Sequence, residues 1–260
     1  MSKTLLVTGA TDGIGRLAAQ KLAAAGHRVL LHGRSAEKLA TVAESLEGAA
    51  ETYVADFSRL GDVRAMAEAI RAKHARVHVV INNAGVLKTR ATVTDDGLDV
   101  RFVVNLLAPY VLTRELLPLV PRDGRIVNLS SAAQERVDLG ALRGERRLGD
   151  MEAYAQSKLA ITLWAAELAK ELAEGPVVVA LNPGSLLASK MVKEGFGIPG
   201  KDLNIGADVI VEAALGPRFA EAGGRYFDND TGRFAPADPA ASDPAHVRAV
   251  LDAMRELAAP

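Results

Sequence analysis

The sequence predicts an α/β fold in which helices cover both faces of a parallel β-sheet. Short β-rich runs alternate with longer stretches rich in Ala, Leu and Glu along most of the 260 residues. Some of these runs are continuously apolar, such as Leu5-Leu6-Val7, as expected for strands that are buried on both faces. Glycine and proline stand where helices should stop and strands begin, as at Gly175-Pro176. This order of elements predicts repeated βαβ units in a doubly wound sheet.

The predicted elements follow one another without a change in composition. Seven strands are predicted at residues 4–8, 28–32, 51–54, 77–82, 125–129, 177–181 and 225–227. Helices are predicted between them at residues 13–25, 36–46, 60–74, 98–119 and 152–174. Because no Ser/Gly-rich linker or repeat divides the chain, residues 1–260 are expected to form a single domain.

Two segments interrupt the alternation. Residues 132–151 form a long insertion with a basic cluster at Arg143, Arg146 and Arg147, for which a solvated loop is a simpler explanation than an anionic substrate. Residues 185–206 follow the sixth strand and are punctuated by glycine and proline. Ligands bind at the carboxyl ends of the strands in open α/β sheets, so this segment is interpreted as a substrate lid rather than a plain connector.

The composition excludes several classes of protein. The chain has 31 Lys and Arg against 32 Asp and Glu, so it lacks the basic excess of a dedicated nucleic-acid binder. It has no Cys, which excludes disulfides and thiolate metal sites, and its His residues show no zinc-binding spacing. The apolar run after Met1-Ser2-Lys3 is too short for a signal peptide, and no run is expected to span a membrane. We therefore expect a cytoplasmic protein without a metal or nucleic-acid partner.

A glycine-rich turn follows the first predicted strand and opens the first helix. It reads Thr8-Gly9-Ala10-Thr11-Asp12-Gly13-Ile14-Gly15. Glycines at these positions permit a tight turn, close approach of the backbone to a phosphate and close packing of the helix on the strand. The helix N-terminus would offer free N–H groups and a positive dipole end to a pyrophosphate. Strand, turn and helix in this order favour a dinucleotide site over a purely structural turn.

The end of the second strand bears on the choice of cofactor. An NAD site usually has an acidic residue there to bind the ribose 2′-hydroxyl, and Leu31-His32-Gly33-Arg34 has none. Arg34 could pair with a 2′-phosphate, which favours NADP(H) over NAD(H); the alternative is a solvated Arg at a helix start. His32 is interpreted as a strand-end residue rather than a catalyst. Asp56 and Asn82-Asn83-Ala84-Gly85 follow the third and fourth strands, where they could line an adenosine channel or form turns.

A tyrosine and a lysine share one face of the helix predicted at residues 152–174. Tyr154 and Lys158 are four residues apart. A tyrosine with a pKa of ~10 is a poor acid–base catalyst at neutral pH unless a nearby cation stabilises its phenolate. Lys158 is placed to do so, and Ser131, at the end of the fifth strand, could hydrogen-bond a substrate oxygen. Taken alone, this pair is also explained as a surface pair on a helix.

Together these motifs resemble the short-chain dehydrogenase/reductase family in its single-domain branch. The resemblance covers nearly the whole chain and rests on TGATDGIG at 8–15, NNAG at 82–85, Asn105, Ser130-Ser131, YAQSK at 154–158 and Asn182-Pro183-Gly184. It implies a Rossmann-like sheet of seven parallel strands in the order 3-2-1-4-5-6-7. It also implies an enzyme that uses a nicotinamide dinucleotide.

The resemblance implies a role for each matching residue. Tyr154 would be the general acid in carbonyl reduction and the base in alcohol oxidation, while Lys158 would lower its pKa and hold the nicotinamide ribose. Ser131, aligned in preference to Ser130, would orient the carbonyl, and Asn105 would help hold a water in a proton relay. The residues implied in cofactor binding are Gly9, Thr11, Asp12, Gly13, Ile14, Gly15, Arg34, Asp56, Phe57, Asn83, Ala84, Gly85, Tyr154, Lys158, Pro183 and Gly184.

The spacing of the catalytic residues points to one branch of the family. Ser131 and Tyr154 are 23 residues apart, further than usual. This spacing is similar to that of the retinol-dehydrogenase-like and protochlorophyllide-reductase-like members. Residues 101–105 and 226–228 look like that subgroup as well.

Two positions depart from the family pattern near the cofactor. Ala188 stands where the family often has a Thr that binds the nicotinamide carboxamide, and Ser185 and Ser189 are nearby as substitutes. Asp12 stands where some NADPH-dependent members have a basic residue. Arg34 alone therefore carries the NADP prediction.

These observations predict an NADP(H)-dependent oxidoreductase that interconverts a ketone or aldehyde and an alcohol. The same site could instead support C=C reduction, dehydration or epimerisation. A non-catalytic NADP(H)-binding sensor is disfavoured, because such relatives typically lose the Tyr or the Lys that this chain retains. The apolar lid residues favour a hydrophobic substrate, although lid helices also need apolar residues in order to pack; they are Leu186, Leu187, Met191, Val192, Phe196 and Ile198.

The resemblance also implies an assembly. Relatives often pair through the helices predicted here at 98–119 and 152–174, so a homodimer or homotetramer is expected. Trp164 is expected in the core or at a subunit interface.

Overall fold

One eight-stranded β-sheet runs through the protein in the computed structural model, which describes residues 2–189, 191–193 and 197–259. The strands are β1 (Thr4–Val7), β2 (Arg28–Gly33), β3 (Ala50–Val54), β4 (Val79–Asn82), β5 (Arg125–Leu129), β6 (Val177–Asn182), β7 (Tyr226–Asp228) and β8 (Arg233–Ala235). Their order is β3-β2-β1-β4-β5-β6-β7-β8, and β1 to β7 are parallel, which confirms the predicted order of seven strands. The order reverses between β1 and β4, so the carboxyl ends of these strands border the crevice in which such folds bind ligands.

The eighth strand extends the predicted sheet. β8 runs antiparallel to β7 after a turn in which Gly232 has φ +68°. Its Phe234 packs edge-on against Phe219 and Phe227, with ring centres 5.4 and 5.1 Å apart. A strand of three residues is too short to show an alternating pattern, and this aromatic packing holds the hairpin on the sheet.

Helices cover both faces of the sheet. On one face lie α1 (Gly13–Ala24), α2 (Ala36–Glu44) and α8 (Leu203–Leu215). On the other lie α3 (Leu60–Lys73), α4 (Val100–Phe102), a π-helical turn (Val103–Leu107), α5 (Ala108–Leu116), α6 (Leu139–Leu142), α7 (Asp150–Glu171) and α9 (Pro244–Leu257). Short 3₁₀ turns occur at Leu117–Leu119, Pro217–Phe219 and Pro239–Ser242.

Three of these helices, α6, α8 and α9, are absent from the sequence prediction. α8 contains glycine and several β-branched residues, which weaken helix propensity. It is held by packing on α1, where a Cβ at Gly206 would lie 2.9 Å from Ile14 Cγ2. α9 begins with ordinary signals that the prediction overlooked, because Asp243 is its N-cap and Pro244 its first residue.

The expectation that no run is long and apolar enough to span a membrane is wrong for Val100–Leu119. By length and composition this stretch qualifies. However, 67% of its apolar window is buried inside the protein, where α5 packs against α3 and the π turn packs against α7. Burial of this kind is typical of the core helix of a globular fold.

The last helix covers part of the surface that was expected to form subunit contacts. α9 packs against α6 and α7. It contributes Val250, Leu251 and Met254 to the core. Arg64 donates a hydrogen bond of 2.5 Å to the Ala258 carbonyl, and Arg255 lies 3.7 Å from Glu171 of α7. Part of the apolar side of α7 is therefore buried within this chain.

Candidate active site

The glycine turn after β1 is folded against the segment that follows β4. Gly9 has φ +67°, and the Thr8 hydroxyl accepts hydrogen bonds from the N–H groups of Asn83 and Ala84 at 2.9 and 3.0 Å. The Asn83 side chain donates to the carbonyls of Thr8 and Gly9 at 2.8 and 3.2 Å. A Cβ at Gly15 would lie 2.3 Å from Asn83 Nδ2 and 2.4 Å from Gly9 O, so only glycine fits there. Backbone and small polar groups thus line this part of the crevice.

The N-terminus of α1 opens towards the same crevice. Gly13 has φ +56°, and the nearest atom to a Cβ built there is Ser189 Cβ at 3.9 Å. The Asp12 carboxylate accepts a hydrogen bond of 2.7 Å from the Gly13 N–H and so caps the helix. The amides of Ile14 and Gly15 remain at the positive end of the helix dipole. A dinucleotide pyrophosphate fits these groups, with Asp12 acting as the helix cap.

The residues predicted to hold the adenosine lie at the carboxyl ends of β2 and β3. Arg34 is exposed directly after β2 and has no ion-pair partner within the described part of the chain. A Cβ at Gly33 would lie 2.5 Å from Thr11 Cγ2, so Gly33 lets the turn approach β2 closely. Asp56 Oδ1 accepts hydrogen bonds from the N–H and the hydroxyl of Ser58 at 3.0 and 2.8 Å. A basic side chain is therefore available where a 2′-phosphate would lie.

His32 links this end of the site to the glycine turn. Its Nδ1 accepts a hydrogen bond from the Gly9 N–H at 3.3 Å, so its Nε2 carries the proton and donates to the Ala55 carbonyl at 3.2 Å. Burial lowers the pKa of His32 to about 4, which keeps the ring neutral. The ring stacks on Phe57 with 3.9 Å between ring centres. Phe57 is only 2% exposed, so its ring packs beneath His32 and does not line the surface of the site.

Ser131, Tyr154 and Lys158 meet at the carboxyl end of β5. Lys158 Nζ lies 5.5 Å from the centre of the Tyr154 ring and donates a hydrogen bond of 2.7 Å to the Leu129 carbonyl. Burial raises the pKa of Tyr154, and hydrogen bonding by the Ser131 side chain partly opposes this effect. Burial lowers the pKa of Lys158 to about 8. The arrangement can deliver a phenolic proton to a ligand while a cation stabilises the phenolate.

The two adjacent serines after β5 have different surroundings. Ser130 is buried, and its hydroxyl donates to the Lys158 carbonyl at 3.0 Å and contacts Thr162 Oγ1 at 2.7 Å. Ser131 accepts a hydrogen bond of 3.1 Å from the Ala133 N–H and interacts with the Tyr154 hydroxyl. The structure thus brings Ser131 to the phenol and uses Ser130 to hold α7 against β5.

Asn105 connects the segment after β4 to α7. It lies in the π turn, a feature that often marks functional positions in helices. Its Oδ1 accepts from the Val86 N–H at 2.8 Å, and its Nδ2 donates to the Val86 carbonyl at 3.0 Å and to Ser157 Oγ at 2.9 Å. Ser157 in turn donates a hydrogen bond of 2.7 Å to the Tyr154 carbonyl. A Cβ at Gly85 would lie 3.3 Å from Asn105 Oδ1, so the loop packs tightly here.

Pro183 and Gly184 follow β6 at the same edge of the sheet. Gly184 has φ +118°, and its N–H donates to Asn182 Oδ1 at 3.2 Å. Asn182 Nδ2 donates to Asp230 Oδ2 at 2.9 Å, and Asp230 also accepts from the Ser185 N–H at 2.9 Å and from the Ser185 hydroxyl. Asp230 follows β7 and thus holds the loop predicted to border the nicotinamide. Of the two candidate substitutes for the family Thr, Ser185 is engaged by Asp230.

The predicted lid, residues 185–206, is described in part. Residues 190 and 194–196 lie outside the described residues, and with them the predicted apolar contact Phe196. Leu187 and Val192 are buried, whereas Leu186 and Ile198 are 39% and 37% exposed. Exposed apolar side chains at this edge would suit an apolar substrate.

Several supporting residues escaped the sequence analysis. Arg101 is 1% exposed, donates to Asp99 Oδ1 at 2.8 Å, and pairs with Asp150 at the start of α7. It thereby ties the N-terminus of the helix that carries Tyr154 to α4. A charged residue inside an otherwise apolar predicted helix could have indicated this supporting role. The hydroxyl of Tyr226 and the side chain of Gln134 both donate to the Ser131 carbonyl, which no linear motif reveals.

Comparison with known proteins decides the family. The sequence pattern of the short chain dehydrogenases matches residues 3–196. The chain belongs to the short-chain dehydrogenase family. It is 33% identical over 251 residues to retinol dehydrogenase 13 of Homo sapiens, covering 87% of this chain and 76% of that one. It is 31% identical over 254 residues to polyprenol dehydrogenase of Homo sapiens, covering 88% and 77%.

A solved structure is similar over most of the chain. The active-site complex of Pseudomonas aeruginosa RhlG with NADP superposes with a TM-score of 0.70 at 27% identity, covering 88% of this chain and 95% of that one. The comparisons confirm the resemblance to retinol-dehydrogenase-like members. As a short-chain dehydrogenase, the chain is an NAD(P)-dependent oxidoreductase.

Proposed function

We propose that this short-chain dehydrogenase is an NADP(H)-dependent enzyme that interconverts a ketone or aldehyde and the corresponding alcohol. The observation that carries the proposal is the meeting of Ser131, Tyr154 and Lys158 beside Gly85, in the segment that packs against the glycine turn. The two relatives described above are named for retinol and polyprenol, which are alcohols with long apolar chains. With the exposed apolar lid residues, they support a hydrophobic substrate.

The chain's own residues account for the proton that accompanies the hydride. Bound NADP(H) supplies or accepts the hydride. Tyr154 donates its phenolic proton to the carbonyl oxygen during reduction and takes it back during oxidation. Lys158 stabilises the phenolate in between, and Ser131 holds the carbonyl oxygen within reach of the phenol. Asn105 keeps the loop after β4 in contact with α7, so that these groups stay together.

Carbonyl turnover by purified chain tests this assignment. NADPH consumption should appear with some members of a panel of apolar aldehydes and ketones. Tyr154→Phe should lower it by at least about 100-fold, because the proton donor is lost. Tyr110→Phe is the matched control, since Tyr110 packs edge-on against Trp164 with 5.5 Å between ring centres, away from the crevice. Full turnover by Tyr154→Phe would contradict the mechanism.

The preference for NADP(H) depends on Arg34. It is exposed at the end of β2, and no acidic residue stands at 31–34 to bind a ribose 2′-hydroxyl. Arg34→Ala should weaken NADPH binding by about 10- to 100-fold and leave NADH binding unchanged, because only NADPH has the 2′-phosphate. Arg122→Ala is the matched control, since Arg122 is exposed just before β5 and so lies at the amino ends of the strands, away from the crevice. Equal losses for both cofactors would overturn this role.

The homodimer or homotetramer expected from the resemblance stays a prediction. α9 packs on α7, and Arg114 and Glu171 are paired at 2.6 Å across α5 and α7. A pair of subunits formed through these helices would therefore have to accommodate both features. Sedimentation equilibrium of the whole chain distinguishes monomer, dimer and tetramer directly.

A further inference from the structure

Two side chains hold the main-chain carbonyl of Ser131. The Tyr226 hydroxyl and Gln134 Nε2 each donate a hydrogen bond to this oxygen at 3.0 Å. Ser131 is also the residue whose side chain interacts with the Tyr154 phenol. Tyr226 lies on β7, beyond residues 3–196, which the family pattern matches.

Both donors are themselves fixed. β7 lies between β6 and β8, with Tyr226 opposite Ala180 on one side and Ala235 on the other. Tyr226 is 8% exposed, and burial together with the charge of Asp228 raises its pKa, so its hydroxyl remains a donor. Gln134 Oε1 accepts from the Asp238 N–H at 3.2 Å, which turns its Nε2 towards Ser131.

The carbonyl contact constrains the direction of the Ser131 hydroxyl. Ser131 and Ala133 form a tight turn, closed by the hydrogen bond from the Ala133 N–H to Ser131 Oγ. Oγ is the acceptor in this hydrogen bond, so its own proton remains available for donation to Tyr154 or to a substrate oxygen. Rotation of the peptide that carries this carbonyl would move the Ala133 N–H away from Ser131 Oγ, so the hydroxyl would no longer be held towards the phenol.

We propose that Tyr226 is a positioning residue that, together with Gln134, fixes the catalytic Ser131 through its main-chain carbonyl. Where the proposal concerns turnover, it rests on the proposed function. Through Tyr226, β7 thereby contributes to the acid–base step without touching the substrate.

A double-mutant cycle tests the proposal in the whole chain. Tyr226→Phe removes only the hydroxyl and should lower kcat by about 5- to 10-fold, the cost of one lost hydrogen bond, with the KM for NADPH unchanged. In a Ser131→Ala background the same change should cost less than about twofold, because no serine hydroxyl is left to position. Gln134→Leu should give the same pattern if Tyr226→Phe folds poorly. An equal loss in both backgrounds, or no loss with Ser131 present, would overturn the proposal.

A second measurement does not depend on the substrate. Tyrosinate absorbance, with and without Tyr154→Phe, gives the titration midpoint of Tyr154. Since the Ser131 side chain lowers the pKa of Tyr154, Tyr226→Phe should raise this midpoint by several tenths of a pH unit. An unchanged midpoint would refute the positioning role. A raised midpoint in a chain that reduces no carbonyl would support that role and refute the proposed function alone.

Discussion

Replacing Lys158 with Met should stabilise the cofactor-free chain while strongly lowering turnover. Lys158 is 4% exposed, and burial lowers its pKa from 10.5 to about 8. The difference of about 2.5 units corresponds to roughly 3 kcal/mol by which the fold disfavours the charged form. Loss of the donor leaves the buried Leu129 carbonyl without this hydrogen bond, at a cost of about 1–3 kcal/mol. The net expectation is a gain of roughly 0–2 kcal/mol at about pH 7.

The difference in stability between the unmodified chain and Lys158→Met should depend on pH. Between about pH 8 and pH 10.5 the unfolded chain keeps the Lys158 proton while the folded chain has released it. The stability of the unmodified chain therefore rises across this window relative to the variant, and the difference between them closes. Urea unfolding of both proteins at about pH 7 and pH 9.5, followed by the fluorescence of the buried Trp164, measures the gap.

The control for Lys158→Met is Lys170→Met on the same helix. Lys170 is exposed, and among the described residues it pairs only with Glu167, at 3.1 Å, so its replacement should change stability by no more than about 0.5 kcal/mol at either pH. Turnover should fall by at least about 100-fold in Lys158→Met alone. A Lys158→Met chain that is less stable at neutral pH, or a gap that is independent of pH, would refute the reasoning.

Three further predictions concern the framework of the site. The pKa of His32 is about 4 in the folded chain and 6.5 in the unfolded chain, so the stability that its neutral ring contributes is complete above about pH 6.5 and is lost as the pH falls. Between neutral pH and about pH 5, urea titrations should show the chain losing roughly 2 kcal/mol more free energy of unfolding than His32→Asn loses. Gly15→Ala should weaken NADPH binding by at least about 10-fold in a fluorescence titration, because its Cβ would lie 2.3 Å from Asn83 Nδ2, whereas Gly61→Ala, with open space around the Cβ, should not. Arg101→Met leaves a buried carboxylate unpaired and should cost about 3–5 kcal/mol in the same urea titrations; a loss below 1 kcal/mol would contradict this role.

Sequence patterns predicted the parts of the molecule that depend on local order. The seven parallel strands are short, buried and separated by helices, so their apolar runs and glycine turns reveal them. Tyr154 and Lys158 are one helical turn apart, and therefore the sequence alone brings them together. α9 could have been found from Asp243 and Pro244, the start signals that the prediction overlooked.

The missed contacts depend on strand register and on long-range packing. Tyr226 reaches Ser131 only because β7 pairs with β6 in one particular register, and 95 residues separate the two in the chain. Asp230 holds Ser185 across 45 residues for the same reason. Neither pairing leaves a periodic or motif-like trace, so neither could be derived before the sheet was assembled.

Among the described strands the sheet has two edge strands, β3 and β8. β8 ends the sheet on one side, after three residues and an aromatic cluster. On the other side β3 is the outermost strand, and its Val54 is 55% exposed. Open strand edges can pair with other chains, and exposed β-branched residues favour such pairing. We therefore expect partly unfolded copies to pair first at β3, which makes Val54 the natural site for a charged residue when solubility is to be improved.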